Sequence, residues 1–195
     1  QDLQCGVSIG IALHPSSAKT AEEITRFADI AMYRAKNMGR NRLCYFQDVM
    51  QQQFSRNFEI ELELKSASHD KSFELHYQPI VQAVNQKLIG FEALIRWPTC
   101  SLNSYPDEFV PIAEKCGLIN AIGKWVIKTA IEQLSIWQKK YDQKLTMGIN
   151  LSPIQLADKQ DLYDVLYELD MTEYAQGADM QYDLVISSYE ETTVN

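Results

Sequence analysis

The 195-residue sequence predicts an α/β protein whose strands run mostly parallel, in either an open sheet or a barrel. Three observations predict it. Apolar residues alternate with period 2 over residues 6–14, 87–97 and 145–151. Others recur at helical spacing from Ile24 to Ala35 and from Ile122 to Trp137. Strand-like and helix-like stretches also take turns along the chain, as layered α/β proteins require.

The elements follow in order. Over residues 6–14, Val7, Ile9, Ile11 and Leu13 share one face of a strand, and Pro15, Ser16 and Ser17 end it. Thr20 stands three before Glu23, a capping-box pattern, and opens a helix carrying Ile24, Phe27, Ala28, Ala31 and Ala35 that Gly39 can stop. Residues 42–46 read as a second strand. Residues 47–68 are polar with a sparse stripe of Phe54, Phe58, Leu62 and Leu64, which predicts a helical connector between two domains. A new rhythm begins after Asp70, with strands over 73–81 and 87–97. Pro106 opens a helix to Lys115, with Asp107 and Glu108 favourable in its first turn. Gly117 closes that helix, and a longer one follows over 122–141. A strand over 145–151, a helix over 155–169 and a strand over 184–188 complete the chain.

Composition narrows the function. Hydrophobic content of 46% and charged content of 23% are ordinary for a globular protein. The net charge of −8, from 26 acids against 18 bases, argues against nucleic acid or an anionic membrane surface as the main partner. Cys5, Cys44, Cys100 and Cys116 form no C-x-x-C pair, which favours reduced thiols in a cytoplasmic protein. No apolar run is long enough to span a bilayer. The chain starts at Gln1, already in strand-like sequence, so it reads as a piece of a longer protein whose other segments could anchor it to a membrane.

The chemistry-bearing residues lie in the second half. Period 2 puts Gly90, Glu92, Leu94 and Arg96 on one face of the 87–97 strand, and Thr146, Gly148 and Asn150 on one face of the 145–151 strand. In a barrel the smaller, polar face points inward, and Glu92, Arg96 and Asn150 approach the carboxyl ends where barrel enzymes carry their sites. A carboxylate with an amide oxygen suits Mg²⁺ or Mn²⁺. An arginine on the same face can grip a phosphate. Pattern alone equally allows a Glu92–Arg96 ion pair on a solvated edge, with Asn150 capping the next helix. His14, His69 and His76 match no metal spacing, and Trp97, Trp125 and Trp137 read as packing residues.

Five motifs shift that balance: Tyr77-Gln78-Pro79-Ile80; the run from Gly90 to Trp97; the run from Pro106 to Glu114; Gly117-Leu118-Ile119; and Asn150-Leu151-Ser152. In this order and spacing they resemble the EAL phosphodiesterase family. The resemblance implies a partial (β/α)8 TIM-like barrel and opening of cyclic di-GMP to the linear dinucleotide. It also implies metal binding, by Mg²⁺ or Mn²⁺, at Glu92 and Asn150. Arg96 would meet a ligand phosphate, and Gln78 and Leu94 would line the ligand cleft. A homodimer through the EAL portion or the connector helix is a further expectation.

The first half resembles the closing strand-helix-strand of a GGDEF domain, through Val7-Ser8-Ile9-Gly10-Ile11-Ala12, the run from Ala28 to Lys36, and Gly39-Arg40-Asn41-Arg42. Lys36 and Arg40 are expected one helical turn apart as phosphate contacts, with a solvated basic helix end as the plain alternative. That family's signature loop and acidic metal ligands are not in this sequence, so no cyclase activity is expected from it. The expected division is 1–46 as GGDEF remnant, 47–68 as connector, and 69–195 as the first half of an EAL domain.

Two departures matter. The later acidic ligands, lysine and general-base region of the EAL family are not in this sequence, so no catalytic residue is assigned. At the fourth strand the family carries Leu-Glu-Ile-Thr-Glu, whereas the nearest match is Leu184-Val185-Ile186-Ser187-Ser188, with Val185 at a metal-ligand position. A degenerate EAL domain acting as a cyclic-di-GMP receptor, or as an interaction or scaffold module, is therefore the alternative to an active phosphodiesterase. Residues 1–195 alone are expected to be inactive and marginally stable, because half a barrel leaves a strand edge uncovered.

Overall fold

The structure, a computed structural model, describes residues 5–70, 72–157 and 184–188. They fall into two units, Gln1–Glu59 and Ile60–Asn195. The boundary lies inside one helix, within the stretch that the sequence marks as a connector.

The first unit holds strand β1 (Ile9–Ile11), helix α1 (Ala21–Asn37), strand β2 (Leu43–Tyr45) and the start of helix α2 (Asp48–Asp70). β1 and β2 pair in parallel, Ile9 opposite Leu43. The capping box forms: Thr20 Oγ1 accepts from the Glu23 amide at 3.1 Å, and Glu23 Oε2 accepts from the Lys19 and Thr20 amides. Those two amides hold the Glu23 carboxyl below its ordinary range. Gly10 of β1 faces α1, while Val7, Ile9 and Leu13 are exposed. A Cβ at Gly10 would lie 2.0 Å from the Ala28 carbonyl oxygen. Beneath it Phe27, Ile30 and Ala31 join Ala18 and Phe46 in a small core, with Phe27 and Phe46 stacked at 4.2 Å.

The second unit is a four-stranded sheet, β3 (Glu74–Val81), β4 (Leu88–Arg96), β5 (Thr146–Leu151) and β6 (Leu184–Ser188), in that spatial order. Helices α3 (Pro106–Lys115) and α4 (Ile119–Tyr141) connect β4 to β5, and α5 (Pro153–Ala157) follows β5. β4–β5 and β5–β6 are parallel, but β3 runs antiparallel to β4. The cause is the connection. Residues 82–87 make only a tight turn, with the Gln82 amide on the Lys87 carbonyl and Gln86 at φ 55, and so short a link cannot cross over to a parallel strand. The result is part of a TIM-like barrel whose first strand is reversed. The helix expected over 155–169 begins earlier, at Pro153, and past Ala157 it lies outside the described residues.

One core joins these elements. Phe91, Ala93 and Ile95 of β4 and Met147, Ile149 and Leu151 of β5 pack with Ile122, Val126, Ala130 and Leu134 of α4. Phe73 gathers Trp97, Phe109 and Trp125 at ring distances of 5.6, 5.9 and 6.1 Å. Trp137 lies 4.4 Å from Phe91 and 4.9 Å from Tyr77, so all three tryptophans serve packing. Burial pushes the Tyr77 hydroxyl up from its ordinary pKa. On α2 the buried positions are Ile60, Leu64 and Ala67, whereas Phe54, Phe58 and Leu62 of the expected stripe are exposed. Those three share a face at i, i+4 and i+8, but in the second unit the core claims the neighbouring face of the helix.

Glu63 of α2 also fastens the loop after β4. Its carboxylate accepts from the Ser101 amide at 3.0 Å and from the Ser101 hydroxyl. The hydroxyl, then the amide, lowers its pKa from the ordinary 4.5. A lowered carboxyl pKa contributes stability above the ordinary value and loses it as pH falls through the lowered one. Glu63→Ala should therefore lower the melting temperature at pH 7, with the gap to wild type narrowing toward pH 3. A gap of equal size at both pH values would show that the charged clasp contributes nothing.

Candidate functional site

The site face is set by register. β3 and β4 place Gln78 opposite Glu92 and His76 opposite Leu94, and β4 and β5 place Glu92 opposite Gly148. Cross-strand partners share a face, so Gln78, Glu92, Leu94 and Arg96 lie on one side of the sheet, joined by Asn150 two residues beyond Gly148. The other side carries the bulky residues packed in the core.

Glu92 and Asn150 meet. The Asn150 Nδ2 donates to Glu92 Oε1 at 2.7 Å. Both are part-buried, and Asn150 lines a small cavity of about 40 Å³ with Leu94, Ser152 and Gln155 at the carboxyl ends of β4 and β5. Arg96 does not join them, because its Nη1 donates to the Ile95 carbonyl at 2.8 Å. Gln78 is exposed on β3. His76 pairs with Glu74 at 2.7 Å on the exposed surface of β3.

Nor does Asn150 cap the next helix. Ser152 does: its Oγ accepts from the Ile154 amide at 3.2 Å, and its own amide donates to Gln155 Oε1 at 3.0 Å. The Ser152 hydroxyl proton goes to Glu114 Oε1 of α3, at 2.5 Å. The Ser-x-x-Gln spacing of a capping box marks this turn in the sequence. The tie to Glu114, 38 residues earlier in the chain, has no local sequence signal.

In the first unit the expected Lys36–Arg40 pair does not form on one helix face. α1 ends at Asn37; Gly39 at φ 99 and Arg40 at φ 59 turn the chain out, and the Arg40 amide donates to the Ala35 carbonyl at 3.2 Å. Glycine removes the Cβ clash that such a turn would cause. Lys36 therefore stands in the last helical turn, and Arg40 beyond it, both exposed.

A carboxylate and a side-chain amide held together are a hard oxygen donor set that suits a divalent cation preferring oxygen ligands. The Nδ2 donation fixes which end of Asn150 faces the carboxylate. Glu92 and Asn150 supply two such donors, and among the described residues no three His, Cys, Asp or Glu side chains cluster to hold a metal. The four cysteines carry no disulfide. Among the described residues no helix is long and apolar enough to cross a membrane.

Comparison with known proteins agrees with this architecture. Residues 61–179 match the EAL domain, and residues 1–42 match the diguanylate cyclase GGDEF domain. The chain belongs to the EAL domain family, with a GGDEF segment ahead of it. It is 39% identical over 158 residues to the bifunctional diguanylate cyclase/cyclic di-GMP phosphodiesterase MucR of Pseudomonas aeruginosa, covering 80% of this chain and 23% of that protein. It is 35% identical over 166 residues to the cyclic di-GMP phosphodiesterase PdeR of Escherichia coli, covering 83% and 25%. The chain thus spans about a quarter or less of the curated relatives it matches. Among solved structures, the PaMucR phosphodiesterase in complex with c-di-GMP aligns with a TM-score of 0.52 at 34% identity, over 56% of this chain and 46% of that one. The FimX EAL domain of Xanthomonas citri, also in complex with c-diGMP, aligns with a TM-score of 0.54 at 25% identity, over 72% and 52%.

The Glu92–Asn150 bond has a direct test. Asn150→Asp replaces a donor with a second carboxylate, and like charges at this distance raise one pKa. The raised pKa makes the variant unstable above the carboxylate range and lets it recover as pH falls. A loss of about 1–3 kcal/mol at pH 7 is expected, shrinking near pH 4. Thermal melting across pH checks it, and a pH-independent loss would contradict the geometry.

Proposed function

We propose that this chain is part of a cyclic-di-GMP signalling protein whose EAL domain hydrolyses cyclic di-GMP to the linear dinucleotide with Mg²⁺ or Mn²⁺. Residues 1–46 form the end of a GGDEF domain, 47–68 a helical connector and 69–195 EAL sequence. The observation that carries the reading is the Asn150–Glu92 bond at 2.7 Å, which brings two oxygen-bearing side chains together at the carboxyl end of parallel strands. Glu92 and Asn150 would supply two of the oxygen ligands that hold the cation. When bound, the cation neutralises phosphodiester charge and lowers the pKa of its water.

Arg96 holds the ligand phosphate after releasing the Ile95 carbonyl, while Gln78 and Leu94 line the cleft. Lys36 and Arg40 offer phosphate contacts from the GGDEF segment, as separate exposed cations. The reading implies a cytoplasmic location, with cyclic di-GMP rather than nucleic acid or membrane as partner. It also allows a homodimer through the EAL portion or the connector helix.

One observation favours a second reading, a receptor that binds cyclic di-GMP without turnover. Val185 stands in register with Gly148, itself opposite Glu92, and the nearest match to the family's Leu-Glu-Ile-Thr-Glu strand sets it at the glutamate position. Valine offers no ligand to a cation, and Mg²⁺ gives up its waters reluctantly. The full-length protein should therefore hydrolyse cyclic di-GMP slowly, and Val185→Glu should raise the rate. Incubation with cyclic di-GMP and Mg²⁺ or Mn²⁺, following the linear dinucleotide, decides between them. Binding without product, even in the Val185→Glu variant, supports the receptor. Absence of both binding and product overturns both readings.

A further inference from the structure

We propose that Glu114 is a positioning residue for the cation site, acting through Ser152 to fix the turn that carries Asn150. The inference rests on the proposed role of Asn150 as a cation ligand. Asn150 is the next-to-last residue of β5, and its strand hands over at Ser152 to α5. Where the Asn150 amide points depends on how that handover is held. Ser152 is the single residue between Leu151, the last of β5, and Pro153, the first of α5.

Ser152 holds that handover with five hydrogen bonds. Its Oγ accepts from the Ile154 amide, its amide donates to Gln155 Oε1, and its carbonyl accepts from the Gln155 and Leu156 amides. Its hydroxyl proton then goes to Glu114 Oε1 at 2.5 Å. Ser152 is only 3% exposed, so a hydroxyl with no acceptor there would carry the full penalty of a buried polar group.

Glu114 can act as the fixed end of this tie because α3 is itself fixed. Phe109 and Ala113 are fully buried, Ile112 nearly so, and Glu114 sits in the last turn beside them. The carboxylate therefore transfers the rigidity of a packed helix to a turn two residues past Asn150. Its contact is with Ser152 rather than with Glu92 or Asn150, so it is placed to act on the ligand geometry indirectly.

The test uses the full-length protein and its Glu114→Ala, Glu114→Gln, Ser152→Ala and Asn150→Ala variants. Mn²⁺ binding is followed by electron paramagnetic resonance, and backbone hydrogen exchange by mass spectrometry without metal. Glu114→Ala and Ser152→Ala should raise the Mn²⁺ half-saturation about fivefold or more and speed exchange in peptides covering residues 149–157. Glu114→Gln keeps an acceptor oxygen for Ser152 and should stay within about twofold of wild type. In the Asn150→Ala background, Glu114→Ala should add nothing further to the binding defect. A Glu114→Gln defect as large as that of Glu114→Ala would show that charge matters rather than the tie, and would overturn the proposal. So would a lowered melting temperature with Mn²⁺ binding and local exchange unchanged. A wild type that binds no Mn²⁺ refutes the cation reading itself. The exchange measurement then still decides whether Glu114 fixes the turn, and unchanged exchange at 149–157 overturns it.

Discussion

The burial of one face of β4 and β5 against α3 and α4 fixes everything on the other face. Side chains alternate along a strand, so a slip of one residue would drive Glu92 and Asn150 into the core and expose Phe91, Met147 and Ile149. Each large apolar side chain fully buried contributes about 1.5–3 kcal/mol relative to exposure, and a slip would forfeit several at once. The polar face thus needs no separate mechanism to hold its register. Glu92 and Asn150 can face each other at 2.7 Å because their neighbours are locked in the core.

Further restraints converge on the carboxyl ends of these strands. Phe73 collects Trp97 from β4's exit and Phe109 and Trp125 from the two helices, making one aromatic node beneath the loop after β4. Glu63 reaches from α2 to hold the same loop at Ser101, and Ser152 links the β5 exit to α3. Loops that would otherwise be free to move are therefore fastened to packed helices at single charged or hydroxyl-bearing positions.

The EAL match covers residues 61–179, and β6, beyond it, sets Val185 at the level shared by Gly148 and Glu92. A fold can be preserved by its apolar alternation alone, because core burial tolerates any residue of suitable size on the site face. A cation does not: each ligand lost removes an oxygen that must be replaced by water. Sequence change at such a position alters chemistry without disturbing architecture.

The sequence by itself determined the order of strands and helices, because period 2 and helical spacing report burial directly. It also determined which residues share the polar face, and the α1 cap, whose Thr20–Glu23 spacing is a local signal. Tertiary structure decided the rest. Which face of α2 packs in the second unit was settled by the core, which took Ile60, Leu64 and Ala67 and left Leu62 exposed. The reversal of β3 came from a turn too short to cross over, and the separation of Arg40 from Lys36 from two positive φ angles after α1. The Glu114–Ser152 tie joins residues 38 apart, and no local pattern encodes which distant side chain folding will bring to a buried hydroxyl. Local spacing records local geometry; contacts between elements exist only once the core has set where each element lies.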